Sequence, residues 1–188
     1  LMRGGLTKAR AAGCALGAGL LWTAAAQAQQ ISDDVVRIGV LSDMSGLYAD
    51  TAGRGSVEAA KMAVADFGGQ VLCRKIEVVS ADHQNKADVG ATHARTWFDR
   101  DGVDLIVDIN NTAVAIAVNN LARERGKMVI NTGGASDILT NEHCAPTAIH
   151  YTYDSYALAN GAVRGILAQG KKDWFILGVD YAFGKAMT

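Results

Sequence analysis

Short apolar strands that alternate with helical segments constrain the fold of this chain more than any other feature. Four segments are β-branched and apolar, which predicts buried strands at residues 35–41, 75–81, 105–109 and 128–131. Between the strands, apolar residues recur at helical spacing at residues 55–67, 86–100 and 112–125. This βαβαβαβ order requires right-handed crossovers and a parallel sheet covered on both faces. The predicted fold class is therefore α/β, a three-layer βαβ lobe with a parallel sheet.

The pattern changes after Asn131. Residues 132–154 contain turn clusters and the single proline of the chain, Pro146. A helix at residues 156–169 and a strand at residues 174–179 then begin a second βα series. We predict three parts along the chain, namely a signal peptide at residues 1–28, a first ligand-binding lobe at 29–148 and the beginning of a second, truncated lobe at 149–188.

The first 28 residues have the parts of a secretory signal peptide. Three cations and no acidic residue stand near the start, at Arg3, Lys8 and Arg10. Residues 11–26 are apolar or small, and an Ala-Gln-Ala stop ends at Ala28, so we expect export and cleavage after Ala28. The alternatives are an uncleaved membrane anchor and a lipid-modified Cys14, but the apolar run continues past Cys14.

Charge and residue spacing argue against several kinds of partner. The chain has 18 Lys and Arg against 19 Asp and Glu, and without the three signal cations the balance is 15 against 19. This mild acidic excess argues against nucleic acid or an anionic membrane as a partner. The isolated histidines lack the spacing of a zinc site, so no metal is predicted and surface or loop positions are expected for His83, His93, His143 and His150. Cys73 and Cys144 could pair in an oxidising compartment or stay free.

Polar loops follow the predicted strands at residues 42–54, 108–112 and 132–136. Open parallel sheets bind ligands beyond the carboxyl ends of their strands, so these loops are the candidate binding walls. Asn111 and Thr112 open a helix, where side-chain oxygens, free N–H groups and the helix dipole favour a ligand carboxylate. Either residue could equally serve only as the helix cap.

The other candidate wall residues are less specific. The loop after the fourth strand is either a backbone-lined ligand wall or a tight turn, and its candidates are Gly133, Gly134, Ala135 and Ser136. Tyr48 in the first loop could stack on a ligand or simply pack.

Motifs of enzymes are absent from the sequence. Gly53 and Gly55 begin a dinucleotide-type G-x-G, but Glu58 occupies the place of the third glycine. No P-loop, G-x-S-x-G or adjacent Ser/His/Asp set occurs. Asp82 and His83 could form an acid/base pair, although a surface turn is the expected role. We therefore predict no catalytic residue, no cofactor and no enzymatic activity.

Four passages in the same order resemble the solute-binding proteins of ABC importers, of the type that includes the leucine/isoleucine/valine-binding proteins. They are RIGVLSDMSGLYAD, the long stretch from EAAKMAVADF to GVDLIVD, MVINTGGASDILT and YAFG. The resemblance covers nearly the whole chain after the signal peptide. It implies a type I periplasmic binding fold whose two lobes close on a small ligand, a periplasmic location, and delivery of the ligand to the membrane permease of an ABC importer.

The resemblance also implies roles for particular residues. Thr112 matches the serine that holds a ligand carboxylate through its hydroxyl and amide. Gly133 and Ala135 match the wall that touches the ligand, and Phe183 matches an aromatic residue of the second lobe that covers it. In the first loop, the choice between Tyr48 and Thr51 as the residue that faces the cleft stays open.

This sequence departs from the family pattern at three of these loop positions. The family often has Gly in place of Asp108 and Ser or Cys in place of Asn111, and Ala135 lacks the usual hydroxyl, which Ser136 could supply. The expected ligand is a small carboxylate, such as a branched-chain or other amino acid or an aromatic acid. The alternatives to a transport receptor are a ligand-sensing domain of a signalling receptor with the same fold and, third, an exported enzyme.

Overall fold

Six strands form one sheet in which every pair is parallel except the hairpin at one edge. Along the chain they are β1 (Val35–Ser42), β2 (Gln70–Val71), β3 (Arg74–Asp82), β4 (Val103–Val107), β5 (Met128–Asn131) and β6 (Ala148–His150). Their order across the sheet is β2-β3-β1-β4-β5-β6, with β1 between β3 and β4. The predicted α/β fold with a mainly parallel sheet is confirmed.

This computed structural model describes residues 34–187. The predicted signal peptide and its cleavage site therefore lie outside the described residues. Within residues 34–187, no helix is long and apolar enough to cross a membrane.

Five α-helices connect or follow the strands. They are α1 (Arg54–Asp66), α2 (Ala87–Asp99), α3 (Thr112–Arg125), α4 (Ser155–Leu167) and α5 (Ala182–Met187). The chain steps from β1 to β3 in one direction, and then in the opposite direction from β3 past β1 to β4 and on to β5. Right-handed crossovers therefore place α1 on one face of the sheet and α2 and α3 on the other.

The core lies between the sheet and the α2–α3 face. Its buried side chains come from the strands and from both helices, and the larger ones are Leu41, Ile106, Val129, Trp97, Phe98, Val114 and Val118. Gly39 in β1 makes room for this packing, because a Cβ atom there would lie 2.5 Å from the Trp97 ring. In contrast, α1 has no fully buried residue.

Two parts of the sequence prediction need correction. The hairpin of β2 and β3 was missed because β2 is two residues long and its turn residues, Leu72 and Cys73, are not typical of positive φ angles. The predicted strand at residues 174–179 is wrong, since this segment has no regular structure and Phe175 and Leu177 are 91% exposed. A strand needs a hydrogen-bonded neighbour, and no described strand lies beside this segment.

The predicted lobe boundary at residue 148 falls at the start of β6, which pairs with β5, and it stays a prediction. Cys73 and Cys144 are both free and exposed.

Candidate functional site

A cleft of about 390 Å³ opens at the carboxyl edge of the sheet. It is lined by three strand-end loops, the start of α1, the start of α3 and two segments that follow β6. The lining residues are Tyr48, Thr51, Ala52, Ser56, Asp108, Asn110, Thr112, Thr132, Gly133, Ala135, Thr152, Tyr153, Tyr181 and Phe183. The location is the one expected for a ligand site in an open parallel sheet.

The loop after β1 is shaped by hydrogen bonds to buried side chains. The Asp43 carboxylate accepts hydrogen bonds from the amides of Gly46 (2.8 Å) and Tyr48 (2.9 Å). The Ser42 hydroxyl accepts a hydrogen bond from the Gly53 amide at 3.0 Å, just before α1 begins. These bonds hold the loop so that both Tyr48 and Thr51 line the cleft, which answers the question left open by the sequence.

Asn111 and Thr112 have different roles at the start of α3. The Asn111 Oδ1 atom accepts hydrogen bonds from the amides of Ala113 (2.8 Å) and Val114 (3.1 Å), so Asn111 is the helix cap. Thr112 is 1% exposed, and its Oγ1 atom has no hydrogen-bond partner within residues 34–187. Thr112 also carries the first N–H group of α3, which the helix cannot satisfy internally. A hydroxyl and an amide donor therefore come together at the cleft.

A hydrogen-bond network lies behind Asn110, next to this helix start. The Asn110 Oδ1 atom faces the Asp43 amide (3.2 Å) and His83 Nε2 (2.8 Å). His83 Nδ1 accepts a hydrogen bond from the Asn85 amide at 3.0 Å, and Asn85 Oδ1 accepts one from Asn111. The network therefore joins the loops that follow β1, β3 and β4.

His83 lies in the loop that follows β3, as expected, but the expected surface exposure is wrong, because the side chain is fully buried. Burial lowers the pKa of His83, although the hydrogen bond to Asn110 partly opposes this effect. The hydrogen bond that Nδ1 accepts from the Asn85 amide also requires the neutral imidazole. Asp82 has other partners, namely Ser45 and the amides of Met44 and Gln84, whose hydrogen bonds lower its pKa although burial acts to raise it.

Asp108 is an acidic residue in the wall of the cleft, and its backbone is strained. Its φ angle is 60°, in the left-handed region that favours glycine, which accounts for the Gly that the family often has here. Its Oδ1 atom accepts a hydrogen bond from the Thr132 hydroxyl (2.5 Å), while its buried Oδ2 atom has no partner within the described part of the chain. The cleft thus contains a carboxylate as well as donor groups.

The loop after β5 contributes two of its four predicted residues to the cleft. Gly133 and Ala135 line it, whereas Gly134 and Ser136 are buried outside its lining. The Gly134 carbonyl accepts a hydrogen bond from His150 Nε2 at 2.7 Å, which ties this loop to the end of β6. Gly133 packs against the neighbouring loop, because a Cβ atom there would lie 2.9 Å from the Asn110 Cα atom.

Aromatic residues form the part of the lining that sequence reasoning largely missed. Phe183 lines the cleft together with Tyr153 and Tyr181, and its contact with a ligand stays a prediction. The Tyr48 and Tyr181 hydroxyls are hydrogen bonded at 2.6 Å, and the Tyr181 and Phe183 ring centres are 6.2 Å apart. Burial and the bond to Tyr48 raise the pKa of Tyr181. The signal that could have found Tyr181 is its position two residues before Phe183 in YAFG.

A mainly parallel α/β sheet with a polar cleft at its carboxyl edge is the architecture of a type I periplasmic binding fold lobe. The chain belongs to the periplasmic binding protein family, whose model matches residues 35–188. The resemblance stated from the sequence is therefore confirmed. No curated protein matched the chain.

Solved structures agree with this assignment. A periplasmic binding protein from Burkholderia mallei is 56% identical over 82% of this chain and 41% of its own, with a TM-score of 0.79. A branched chain amino acid ABC transporter periplasmic ligand-binding protein from Burkholderia xenovorans LB400 is 43% identical over 81% of this chain and 41% of its own, with a TM-score of 0.71. An ABC transporter solute binding protein from R. palustris in complex with benzoate shares the fold at 23% identity. The match covers 81% of this chain and 42% of that protein, with a TM-score of 0.71.

The chain thus spans about 41% of the length of the two more similar structures. The family and the more similar of these structures are named as periplasmic binding proteins, and the second structure is named as the ligand-binding protein of an ABC transporter.

Proposed function

We propose that this protein is a periplasmic solute-binding receptor that delivers a small carboxylate-bearing ligand to the membrane permease of an ABC importer. The observation that carries the proposal is the position of Thr112 at the start of α3. At the wall of the cleft, Thr112 presents the first amide of α3 and a buried hydroxyl for which residues 34–187 offer no hydrogen-bond partner.

The donors at this helix start suit an anion. Asn111 already satisfies the amides of Ala113 and Val114, so the hydroxyl and amide of Thr112 are available to a ligand. Hydrogen bonds to a charged acceptor are worth about 1.5–3 kcal/mol each, against about 1 kcal/mol for neutral pairs. The positive end of the α3 dipole favours the same charge. A carboxylate is therefore the ligand group that gains most here.

The rest of the lining suits an apolar body attached to the carboxylate. Four aromatic side chains line the cleft, Tyr48, Tyr153, Tyr181 and Phe183. The volume of about 390 Å³ lies within the usual range for small-molecule sites. Aromatic acids and apolar amino acids combine a carboxylate with such a body, and these classes agree with the names of two similar structures, one of a branched-chain amino acid transporter and one containing benzoate.

The proposal is tested by a thermal-shift screen of the full-length protein with paired probes. Benzoate and leucine are each compared with the neutral amide of the same shape, benzamide and leucinamide. A ligand that binds the folded state raises its melting temperature, so we expect a shift with at least one carboxylate and little or none with its amide. Equal shifts from acid and amide would contradict carboxylate recognition, and no shift from any carboxylate would contradict the proposed ligand class.

A further inference from the structure

We propose that Asn110 is a ligand-binding residue whose Nδ2 group donates a hydrogen bond to the bound carboxylate, and that His83 is the positioning residue that orients it. This inference rests on the proposed function. Asn110 lines the cleft beside Thr112, and its Nδ2 atom has no hydrogen-bond partner within residues 34–187.

The orientation of the Asn110 amide follows from its neighbours. The Asp43 backbone N–H can only donate, so the Asn110 atom that it faces at 3.2 Å must be the oxygen. His83 confirms this assignment independently. Its Nδ1 atom accepts the Asn85 amide proton, so its Nε2 atom carries the ring proton and donates to the same oxygen at 2.8 Å. With two donors on the oxygen, the nitrogen must point the other way.

The neutral state of His83 matters for this arrangement because only a neutral imidazole can accept at Nδ1 while it donates at Nε2. The side chain is fully buried. The backbone of Asn110 is held as well, because Gly133 packs against its Cα atom. Asn110 is thus fixed from two sides before any ligand arrives, which lowers the entropy cost of binding.

The free Nδ2 group also needs a partner. A buried donor without a hydrogen bond costs about 1–3 kcal/mol, and the carboxylate proposed to bind at Thr112 would supply an acceptor. Donors on Thr112 and Asn110 together match the acceptor capacity of the two oxygens of a carboxylate. The site would then discriminate against ligands whose polar group at this position is a donor.

Two variants of the full-length protein test the role of Asn110, with benzoate and leucine as probes in calorimetry. Asn110→Asp keeps the oxygen that His83 and Asp43 bind. It replaces the Nδ2 donor by a second oxygen whose negative charge repels the carboxylate of the ligand. Asn110→Leu removes both polar groups at similar size. We expect affinity to fall roughly tenfold or more in Asn110→Leu and further in Asn110→Asp. Asn141→Asp, an exposed change of the same charge, is the matched control and should bind like the wild type.

A second measurement keeps the inference falsifiable if a variant is poorly folded. The side-chain NH₂ resonances of Asn110 are assigned in the wild type itself, by triple-resonance experiments that need no variant. We expect these resonances to move on saturation with a bound probe, and unmoved resonances would overturn the role of Asn110. If Asn110→Leu is well folded and binds within twofold of the wild type, the inference is also overturned while the proposed function stands. If no carboxylate binds the wild type, both are overturned.

A double-mutant cycle tests His83 as the positioning residue. His83→Leu should weaken probe binding when Asn110 is present and add little in the Asn110→Leu background. A merely structural role of His83 would weaken binding equally in both backgrounds, and that result would overturn the assignment.

Discussion

Replacing Thr112 by valine should separate binding from folding, because the structure predicts opposite effects on the two. Valine has nearly the shape of threonine but lacks the hydroxyl. In the unbound protein the Thr112 Oγ1 atom is buried without a partner in the described residues, and such a group costs about 1–3 kcal/mol. The helix cap belongs to Asn111 and is untouched by the change. Thr112→Val should therefore leave the unbound protein as stable as the wild type or about 1 kcal/mol more stable.

Binding should change in the other direction. The lost hydrogen bond to a charged group is worth about 1.5–3 kcal/mol, and each 1.4 kcal/mol is a factor of ten in affinity. We expect the affinity of the full-length protein for its carboxylate probe to fall roughly ten- to a hundredfold. Calorimetric titration measures this loss, and thermal unfolding without ligand measures stability.

Thr112→Ser is the matched control, since it keeps the hydroxyl and should bind within a few-fold of the wild type. An unchanged affinity in a well-folded Thr112→Val protein would refute the reasoning and leave Thr112 as a packing residue at the helix start. A clear loss of unbound stability would refute it in another way, because it would show that the hydroxyl has a structural partner.

Three further predictions concern the cleft and the export of the chain. Tyr48→Phe removes the 2.6 Å bond to Tyr181 that the unbound protein already makes. Because a neutral hydrogen bond contributes about 0.5–1.5 kcal/mol to stability, we expect thermal unfolding without ligand to show a loss of about that size, and a Tyr181→Phe variant whose loss differs clearly from that of Tyr48→Phe would argue against a shared bond. Asp108→Asn removes a negative charge from the cleft wall, so binding of benzoate should strengthen relative to leucine, whose ammonium group gains from that charge; an unchanged ratio of the two dissociation constants would contradict this. Mass spectrometry of the exported protein should show a chain that begins at Gln29, whereas an intact Met2 or a lipid on Cys14 would reject cleavage after Ala28.

Sequence reasoning worked best where the signal is local. The bounds of α3 agree with the helix predicted at residues 112–125, because a polar pair precedes an apolar helical period, and the structure shows that Gly126 closes the helix in the left-handed conformation. The strands β1, β3, β4 and β5 were found from β-branched runs. The loops at their carboxyl ends then followed from the sheet topology.

The sequence could not show which loop residues meet. In the sequence, Asn110 is 67 residues from Asp43 and 27 residues from His83. The contacts among these residues depend on β1 lying between β3 and β4. The sequence therefore predicts surface exposure for His83, whose side chain is fully buried. The division of labour between Asn111 and Thr112 also needed side-chain geometry, because both residue types are suitable helix caps.

The most direct test of the central claim is a crystal structure of the full-length protein with whichever carboxylate probe binds more tightly. The account predicts that the carboxylate lies at the start of α3, within hydrogen-bond distance of the Thr112 hydroxyl and amide, with its apolar body among the aromatic side chains of the cleft. A ligand bound away from this cleft, or bound in it with the carboxylate directed away from Thr112, would contradict the account.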